Sequence, residues 1–391
     1  MISPRFTQPH QFEPLLPGSA GAALLPLAGD IIAGSQALHG ATHASTRERL
    51  RELLRAMNSY YSNRIEGQGT HPLNIERALR DDFSARPDVA RLQRVARAYL
   101  EAEQALEALS TGLEPLSATF AVSAHRAMYS LLDAEDRETP DGKVLEPGEL
   151  RASRVTVGRH EPPGPTHLAP FLNRYDEVYG GPARAEERLI SIACAHHRLA
   201  WVHPFEDGNG RAGRLVTHAA LFPITGGLWS LSRGLARKRD EYYERLAGAD
   251  SPRRGDLDGR GNLSLEGLVR WCRFFLEVCL DQVTFMTKLL DLDGLKARLR
   301  ALVLIKGGKF KVEIALPLHH LFAAGPVTRG EFKQLTGLGE RTAQGQLALL
   351  LKAGLLESSS ALGPVRLGFP LDSLQYLFPD LYPEAATRPE E

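Results

Sequence analysis

Residues 203–214 read His203-Pro204-Phe205-Glu206-Asp207-Gly208-Asn209-Gly210-Arg211-Ala212-Gly213-Arg214. This run places a titratable base, a carboxylate, a turn-forming Gly-Asn-Gly segment and two arginines close together along the chain. Consecutive backbone N–H groups in such a turn can bind an anion, and the positive end of a following helix strengthens the binding. The run therefore contains the parts that a phosphate-handling site needs.

Two predicted helices flank the run. Apolar residues recur at helical spacing from Ala183 to Val202. Pro204 disfavours helical geometry at His203, so we expect the first helix to end there and leave the imidazole in the loop. The second helix is predicted from Arg211 to Phe222, and we expect Pro223 to end it.

The side chains of the run predict a chemistry. Arg211 and Arg214 stand three apart and share one helix face, which offers two forked donors to phosphate oxygens. Asp207 precedes the turn and is well placed to hold Mg²⁺ against a phosphate. His203 can accept the proton of an attacking hydroxyl. The residues alone thus indicate a magnesium-dependent phosphate site with a base.

The same residues resemble the signature of the Fic family, H-x-F-x-[D/E]-G-N-G-R-x-x-R. Every defined position is present. The resemblance implies transfer of AMP from ATP to a Ser, Thr or Tyr hydroxyl of a target protein, with Mg²⁺. It makes His203 the catalytic base and Asp207 the metal ligand, and it gives nucleotide binding to Gly208, Asn209, Gly210, Arg211, Ala212, Gly213 and Arg214. Relatives that phosphorylate carry lysine at the position of Gly210. Transfer of UMP or phosphate is the alternative chemistry.

A second motif ends the helix predicted from Thr46 to Ile65. Gly67 suits a helix C-cap, whereas Glu66 faces the negative end of the helix dipole, which is unfavourable by roughly several tenths of a kcal/mol. Ser62, Glu66 and Gly67 match the family's inhibitory motif, [S/T]-x-x-x-E-[G/N]. The resemblance implies that Glu66 pairs with Arg214 and blocks the ATP γ-phosphate. The alternative is an ordinary capping glutamate. Reverse removal of AMP, with the same glutamate positioning water, is left open.

A strand-like segment lies upstream of the run. Alternation over Val155, Thr156, Val157 and Gly158 predicts a strand, and a proline-rich turn follows it. In the family, a β-hairpin called the flap aligns the target backbone by strand addition. We assign residues 154–165 to this flap and those four residues to target binding. The alternative is a surface hairpin without a partner.

Two aromatic residues follow the run in a helical segment predicted from Ser232 to Leu246. The resemblance suggests that either Tyr242 or Tyr243 contacts the adenine or ribose of the nucleotide. Spacing does not choose between them, and core packing is an equal alternative for each.

The C-terminal part is predicted to be a winged helix-turn-helix domain. Three helices, Leu316–Ala323, Arg329–Leu335 and Glu340–Ala353, precede two alternating strands, Leu355–Ser359 and Val365–Phe369. The third helix carries few basic residues, so structural use or protein docking is favoured over DNA binding.

Composition sets the remaining expectations. The formal net charge is zero, so no general attraction to nucleic acid or anionic membranes is expected. Three cysteines, Cys194, Cys272 and Cys279, lie in apolar helical contexts and predict buried thiols in a reducing compartment. The apolar run from Ala22 to Ile32 is interrupted by a proline and an aspartate, and it does not resemble a signal sequence. We expect a cytoplasmic protein without a membrane partner.

The sequence therefore predicts a mainly α protein with a Fic-type helical core, a small β-hairpin flap and a C-terminal winged helix-turn-helix domain. The expected parts are an N-terminal arm (1–45), a helical region with the inhibitory motif (46–110), the core (111–295), the winged helix (310–375) and a tail (376–391). Its partner is the target protein, and a homodimer is left open. The rival interpretation is a DNA-binding regulator whose core senses nucleotide.

Overall fold

Helices form most of the structure. The computed structural model describes residues 6–139, 141–181 and 183–382. Its main body contains α1 (Leu25–Gly40), α2 (Ala44–Ile65), α3 (Pro72–Ala78), α4 (Pro87–Leu109), α5 (Ala118–Tyr129), α6 (Leu168–Tyr179), α7 (Ala185–Val202), α8 (Asn209–Thr225), α9 (Leu231–Arg237), α10 (Arg239–Ala249) and α11 (Leu265–Leu289). The mainly α fold is confirmed.

Helix α8 lies at the centre of this body. It contacts α1, α2, α4, α5 and α7, and most of its side chains are buried. Helix α11 closes one side, because Leu268, Trp271, Phe275 and Val278 recur at helical spacing and are fully buried. This packing supports two segments next to α8. They are the loop between α7 and α8 and the C-terminal end of α2.

The N-terminal arm is packed onto the body. One face of α1, formed by Ala28, Ile31, Ser35 and Leu38, is buried. Trp229 Nε1 donates to Ser35 Oγ at 3.0 Å. In the described part of the chain, the helical run Gly18–Gly40 has the length and apolar composition of a membrane span. A core helix has the same properties, and the burial of one face of α1 fits that interpretation.

Two helix boundaries differ from the expectation. Pro223 lies inside α8, which continues to Thr225. A proline one turn from a helix end removes a single hydrogen bond, and the helix still closes through Gly226 N–H to Phe222 O at 2.8 Å. The segment predicted from Ser232 to Leu246 is divided into α9 and α10 at Lys238, whose backbone leaves helical geometry.

The C-terminal region follows the predicted order of elements. It contains α12 (Leu292–Lys306), α13 (Ala315–Ala324), α14 (Arg329–Leu335), α15 (Glu340–Lys352), β1 (Leu356–Glu357), β2 (Arg366–Leu367) and α16 (Leu371–Leu377). The strands are shorter than predicted and pair antiparallel, with Leu356 opposite Leu367. Classification as a winged helix, and the domain boundaries, stay predictions.

The three cysteines are free and buried, as the sequence predicts. Cys194 Sγ and Cys272 Sγ lie 3.4 Å apart as thiols.

Candidate active site

His203 ends α7 as predicted. Its backbone is left-handed, with φ 50° and ψ 63°, and its N–H donates to Leu199 O at 3.0 Å. The half-buried imidazole therefore leaves the helix direction and enters the loop. Burial lowers the pKa of His203 to about 4, with a smaller contribution from the nearby Arg151 guanidinium. The ring is neutral at pH 7 and can accept a proton.

A buried arginine that the sequence analysis missed holds this turn. Arg151 Nε donates to His203 O at 2.7 Å, and Arg151 N–H donates to Pro204 O at 2.9 Å. The same guanidinium donates to Ser153 O at 3.0 Å and to Pro163 O. Arg151 thus ties the loop of His203 to the segment predicted to be the flap. The sequence gives no local signal for this role, because the contacts span about fifty residues along the chain.

The loop is closed from within. Phe205 N–H donates to Asn209 Oδ1 at 2.9 Å, and Asn209 Nδ2 donates to Phe205 O at 2.8 Å. The Asn209 side chain, which we expected to contact phosphate, is therefore committed to the shape of the loop. The Phe205 ring is buried and stacks on His125 with ring centroids 4.2 Å apart.

His125, on α5, is a second residue that the sequence analysis missed. Gly148 N–H donates to its Nδ1 at 2.9 Å, so Nε2 carries the proton and donates to Asp207 O at 3.2 Å. Burial lowers the pKa of His125 to about 4, and the neutral ring keeps this tautomer at pH 7. The contact fixes the backbone just before the Gly-Asn-Gly turn.

The N-terminus of α8 forms the expected anion-binding end. The first hydrogen bond of the helix runs from Ala212 N–H to Gly208 O at 2.9 Å. The N–H groups of Asn209, Gly210 and Arg211 precede that bond and point out of the helix end. Ala212 is predicted to bind nucleotide, but its N–H donates to Gly208 O within the helix. Gly213 lies one residue further along the helix. Helix geometry thus excludes Ala212 as a main-chain donor to a ligand.

Position 208 requires a glycine for two reasons, its backbone conformation and the limited space around it. Its φ is 77°, and a Cβ at this position would overlap the ring of Tyr129. Tyr129 also faces Arg211, whose guanidinium carbon lies 5.5 Å from the ring centroid.

Asp207 is exposed beside this helix end. Its Oδ1 accepts the N–H of Gly208 at 2.6 Å, and its Oδ2 lies 3.9 Å from Arg211 Nη2. Mg²⁺ is usually held by one or two carboxylates together with phosphate oxygens and water. A single exposed carboxylate next to an anion-binding helix end fits that donor set.

The two arginines point toward the C-terminal end of α2. Arg214 Nε donates to Ser62 Oγ at 2.8 Å, and Nη2 donates to Ser62 O and to Glu66 Oε1. Arg211 Nη1 donates to Gln68 Oε1 at 3.0 Å. Both guanidinium groups are buried. The predicted pairing of Glu66 with Arg214 is present.

The carboxylate of Glu66 lies against the first turn of α8. A Cβ on Gly210 would overlap Glu66 Oε1. Burial tends to raise the pKa of Glu66, but the charge and hydrogen bond of Arg214 outweigh it and leave the pKa below its usual value. Burial tends to lower the pKa of Arg214, and Glu66 reverses that shift. The pair is therefore ionised at pH 7.

Gly67 places these groups as predicted. Its φ is 74°, and the next N–H, that of Gln68, donates to Asn63 O at 2.9 Å, which is the hydrogen bond of a Schellman C-cap. The cap turns Gln68 back toward Arg211.

The two tyrosines are separated by the structure. Tyr242 is buried and its hydroxyl lies 2.9 Å from His196 Nε2, so it is a core residue. Tyr243 is 42% exposed, and its hydroxyl donates to Ile65 O at 3.3 Å. Of the two tyrosines, Tyr243 lies at the surface beside the inhibitory motif, whereas Tyr242 takes the core-packing alternative.

The predicted flap is not a regular hairpin. Its described pairing is one isolated bridge between Val157 and His160. Thr156, Val157 and Gly158 are exposed, and Val155 is half-buried. The segment is nevertheless fixed to the loop, because Glu206 accepts N–H groups of Ala152 and Ser153 at 3.2 and 3.0 Å. Prolines and glycines nearby limit longer strand pairing.

Comparisons with known proteins agree with this geometry. Residues 115–221 match a family model described as Fic/DOC family. The chain is similar to the protein adenylyltransferase Fic of Nematostella vectensis, with 28% identity over 163 residues, which cover 41% of this chain and 36% of that protein. It is 39% identical over 99 residues to the protein of the same name in Culex quinquefasciatus, covering 24% and 19% of the two chains. The chain thus spans 36% of the length of the first relative and 19% of the length of the second.

The fold has a counterpart among solved structures. The crystal structure of a Fic family protein from Desulfovibrio desulfuricans G20 superposes with a TM-score of 0.52 at 18% identity. The superposition covers 88% of this chain and 97% of that one. This likeness concerns the fold alone, and it confirms the Fic-type helical core.

Proposed function

Because this chain carries a domain of the Fic family, we propose that it is a protein adenylyltransferase. It transfers AMP from ATP to a Ser, Thr or Tyr hydroxyl of a target protein. The observation that carries the proposal is the loop between α7 and α8, which brings a neutral imidazole, an anion-binding helix end and two buried arginines to one place. Similarity to proteins named protein adenylyltransferase supports the same activity.

The reaction is an in-line displacement at the α-phosphorus of ATP. The target hydroxyl oxygen forms a bond to that phosphorus, the bond to the bridging β-phosphate oxygen breaks, and pyrophosphate leaves. His203 takes the hydroxyl proton. The N–H groups of Asn209, Gly210 and Arg211 hold phosphate oxygens, and the guanidinium groups of Arg211 and Arg214 bind the remaining charge.

Asp207 is the residue that would hold Mg²⁺. When bound, the ion neutralises negative charge on the phosphate oxygens.

The isolated protein is autoinhibited in this proposal. ATP needs Arg214 for its γ-phosphate, and Glu66 competes for the same guanidinium. Two observations support the idea: the ion pair between them, and the position of Glu66 Oε1 against Gly210. Bound as described, the carboxylate also repels the incoming phosphate through its own charge.

The activity is tested with His203→Ala in a Glu66→Gly background. We expect the double variant to lose transfer of label from α-labelled ATP while it still binds ATP, because the imidazole acts on the hydroxyl and not on the triphosphate. His10→Ala in the same background is the matched control, since His10 is exposed and lies in the N-terminal arm. Full activity in the His203→Ala variant would refute the base assignment.

A nucleotide panel separates the neighbouring chemistries. ATP labelled at the α position reports AMP transfer, γ-labelled ATP reports phosphate transfer, and α-labelled UTP reports UMP transfer. We expect labelling from the first alone. Adding the Glu66-containing parent to a modified target then tests the reverse reaction, in which the added AMP would be lost.

A further inference from the structure

A second cluster of ionisable groups lies inside the helical body, away from the loop of His203. Glu103 and Glu107 stand four apart on α4 and so share one helix face, and His218 faces them from α8. One ligand atom from each residue lies within 4.8 Å of the others. The side chains of His218, Glu107 and Glu103 are 14%, 8% and 0% exposed. The cluster is buried but is reached from the His218 side.

One oxygen of this cluster is left without a partner. Glu103 Oε1 accepts Asn58 Nδ2 at 2.8 Å, whereas Glu103 Oε2 has no hydrogen-bond partner among the described residues. A buried carboxylate is normally paired or bound to a metal, and a buried orphan oxygen calls for a water or an ion.

We propose that Glu103, Glu107 and His218 bind one first-row divalent metal ion of the class of Zn²⁺. One of the two distances matches that between two ligands of a shared ion, and the other is slightly longer. His218 Nε2 lies 3.0 Å from Glu107 Oε1 and 3.6 Å from Glu103 Oε1. Two ligands at about 2.1 Å from one ion stand about 3.0–3.4 Å apart in octahedral or tetrahedral geometry.

The donor set selects the kind of metal. Imidazole nitrogen suits zinc and its first-row neighbours, whereas Mg²⁺ and Ca²⁺ prefer oxygen alone. Two carboxylates and a histidine from facing helices are also the ligand types that helix bundles use for metals in their cores.

The surrounding residues resemble the outer layer of a metal site. Arg55 donates to both oxygens of Glu107 through Nε and Nη2. Asn58 donates to Glu103 and lies 3.5 Å from His218 Nδ1. Ligating carboxylates are usually hydrogen-bonded, as both glutamates are here. Arg55 is also a nearby positive charge, and it offsets one of the two carboxylates.

The competing arrangement has no metal. In it, His218 donates from Nε2 to Glu107 Oε1 at 3.0 Å and accepts from Asn58 Nδ2 at Nδ1, and a water fills the space beside Glu103 Oε2. Metal binding requires loss of the Nε2 proton, so the two arrangements exclude each other and a binding experiment separates them.

The test uses the full chain without a histidine tag, stripped by chelator and kept free of nucleotide and Mg²⁺. Zn²⁺ is titrated in competition with a chromogenic chelator. We expect one equivalent to bind, and Glu103→Gln and His218→Asn each to weaken binding by more than about 100-fold, beyond the 10- to 100-fold typical of outer-layer residues. Circular dichroism of both variants checks that they fold.

Three control variants keep the result specific. Asp207→Asn removes the carboxylate of the loop, Cys194→Ser removes a buried thiol, and His10→Ala removes an exposed imidazole. Each should leave Zn²⁺ binding unchanged. Co²⁺ in place of Zn²⁺ should give visible absorption bands without a thiolate charge-transfer band.

The proposal is overturned if the stripped parent chain binds no Zn²⁺ at micromolar concentration. It is equally overturned if folded Glu103→Gln and His218→Asn bind as the parent does, or if a control variant abolishes binding. The experiment measures no nucleotide transfer, so it is independent of the proposed enzymatic function.

Discussion

Replacing Glu66 by glycine should convert the protein from a weakly active form to an active one. The substitution removes the carboxylate that binds Arg214 and lies against Gly210. It disturbs the backbone little, because Glu66 is the C-cap residue of α2 and follows its last helical turn. Arg214 keeps one neutral partner in this variant, because Ser62 Oγ still accepts from Arg214 Nε.

The size of the effect follows from the contact that is lost. A hydrogen bond between charged groups contributes about 1.5–3 kcal/mol. The Arg214 side chain is 1% exposed, but that of Glu66 is 29% exposed, so solvent screens part of the interaction. We therefore take the lower part of the range, about 1.5–2 kcal/mol. At about 1.4 kcal/mol per factor of ten, this corresponds to about a 10- to 30-fold rise in transfer at subsaturating ATP.

The assay is the initial rate of label transfer from α-labelled ATP to a target or to the enzyme itself, measured at several ATP concentrations. Glu66→Gln is the informative intermediate, because it keeps the bulk near Gly210 and removes the charge. Glu48→Gln, on an exposed position of the same helix, is the matched control and should equal the parent. The rise should appear as a lower apparent KM for ATP.

A folded Glu66→Gly variant that binds ATP more tightly and yet transfers no more label than the parent would refute the inhibitory role of Glu66. Equal rises in Glu66→Gly and Glu48→Gln would point to a general loosening of α2 and would contradict the role given to the ion pair.

Three further predictions concern His203, Ser62 and Phe205. In the Glu66→Gly background, kcat/KM should change less than about twofold between pH 7 and pH 5, because the pKa of His203 lies at about 4 and the base stays unprotonated above it. An imidazole with a pKa of 6.5 would be only about 3% neutral at pH 5. A pH–rate profile that falls more than tenfold over this range would contradict the assignment of His203 as the base. Ser62→Ala should raise transfer by about 2- to 10-fold, less than Glu66→Gly, because one neutral partner of Arg214 is lost; equal rises in the same assay would contradict this ranking. Phe205→Ala should lower the free energy of unfolding by about 3 kcal/mol in urea denaturation, since the ring is buried and stacks on His125. A decrease in the free energy of unfolding below about 1 kcal/mol would show that the loop does not depend on that packing.

Much of the site could be predicted because its residues are neighbours along the chain. Pro204 fixes where α7 ends, the glycines fix the turn, and the spacing of Arg211 and Arg214 fixes a common face. The pairing of Glu66 with Arg214 was predicted from a motif resemblance, since no spacing rule relates residues so far apart.

The features that could not be predicted depend on tertiary contacts. Arg151 and His125 act on the loop from distant segments, and no periodicity reveals that. Asn209 belongs to a signature whose chemistry suggests phosphate contact, yet its side chain completes the loop instead. Tyr242 and Tyr243 are adjacent in sequence, and only the packing of α10 against α11 determines which of them is buried.

The path by which Glu66 can leave Arg214 is restricted by the rest of α2. Asn58, Ser62 and Glu66 lie at intervals of four on one face of that helix, opposite Arg214 and His218 on α8. Nearer its middle, α2 is held by the hydrogen bond of Asn58 to Glu103 and by the ion pair of Arg55 with Glu107. Movement of the whole helix would break both of these contacts, whereas unwinding of the turn that ends at Gly67 would leave both intact. We therefore expect relief of the proposed inhibition to be a local event at the end of α2, because it would leave the contacts of Asn58 and Arg55 intact.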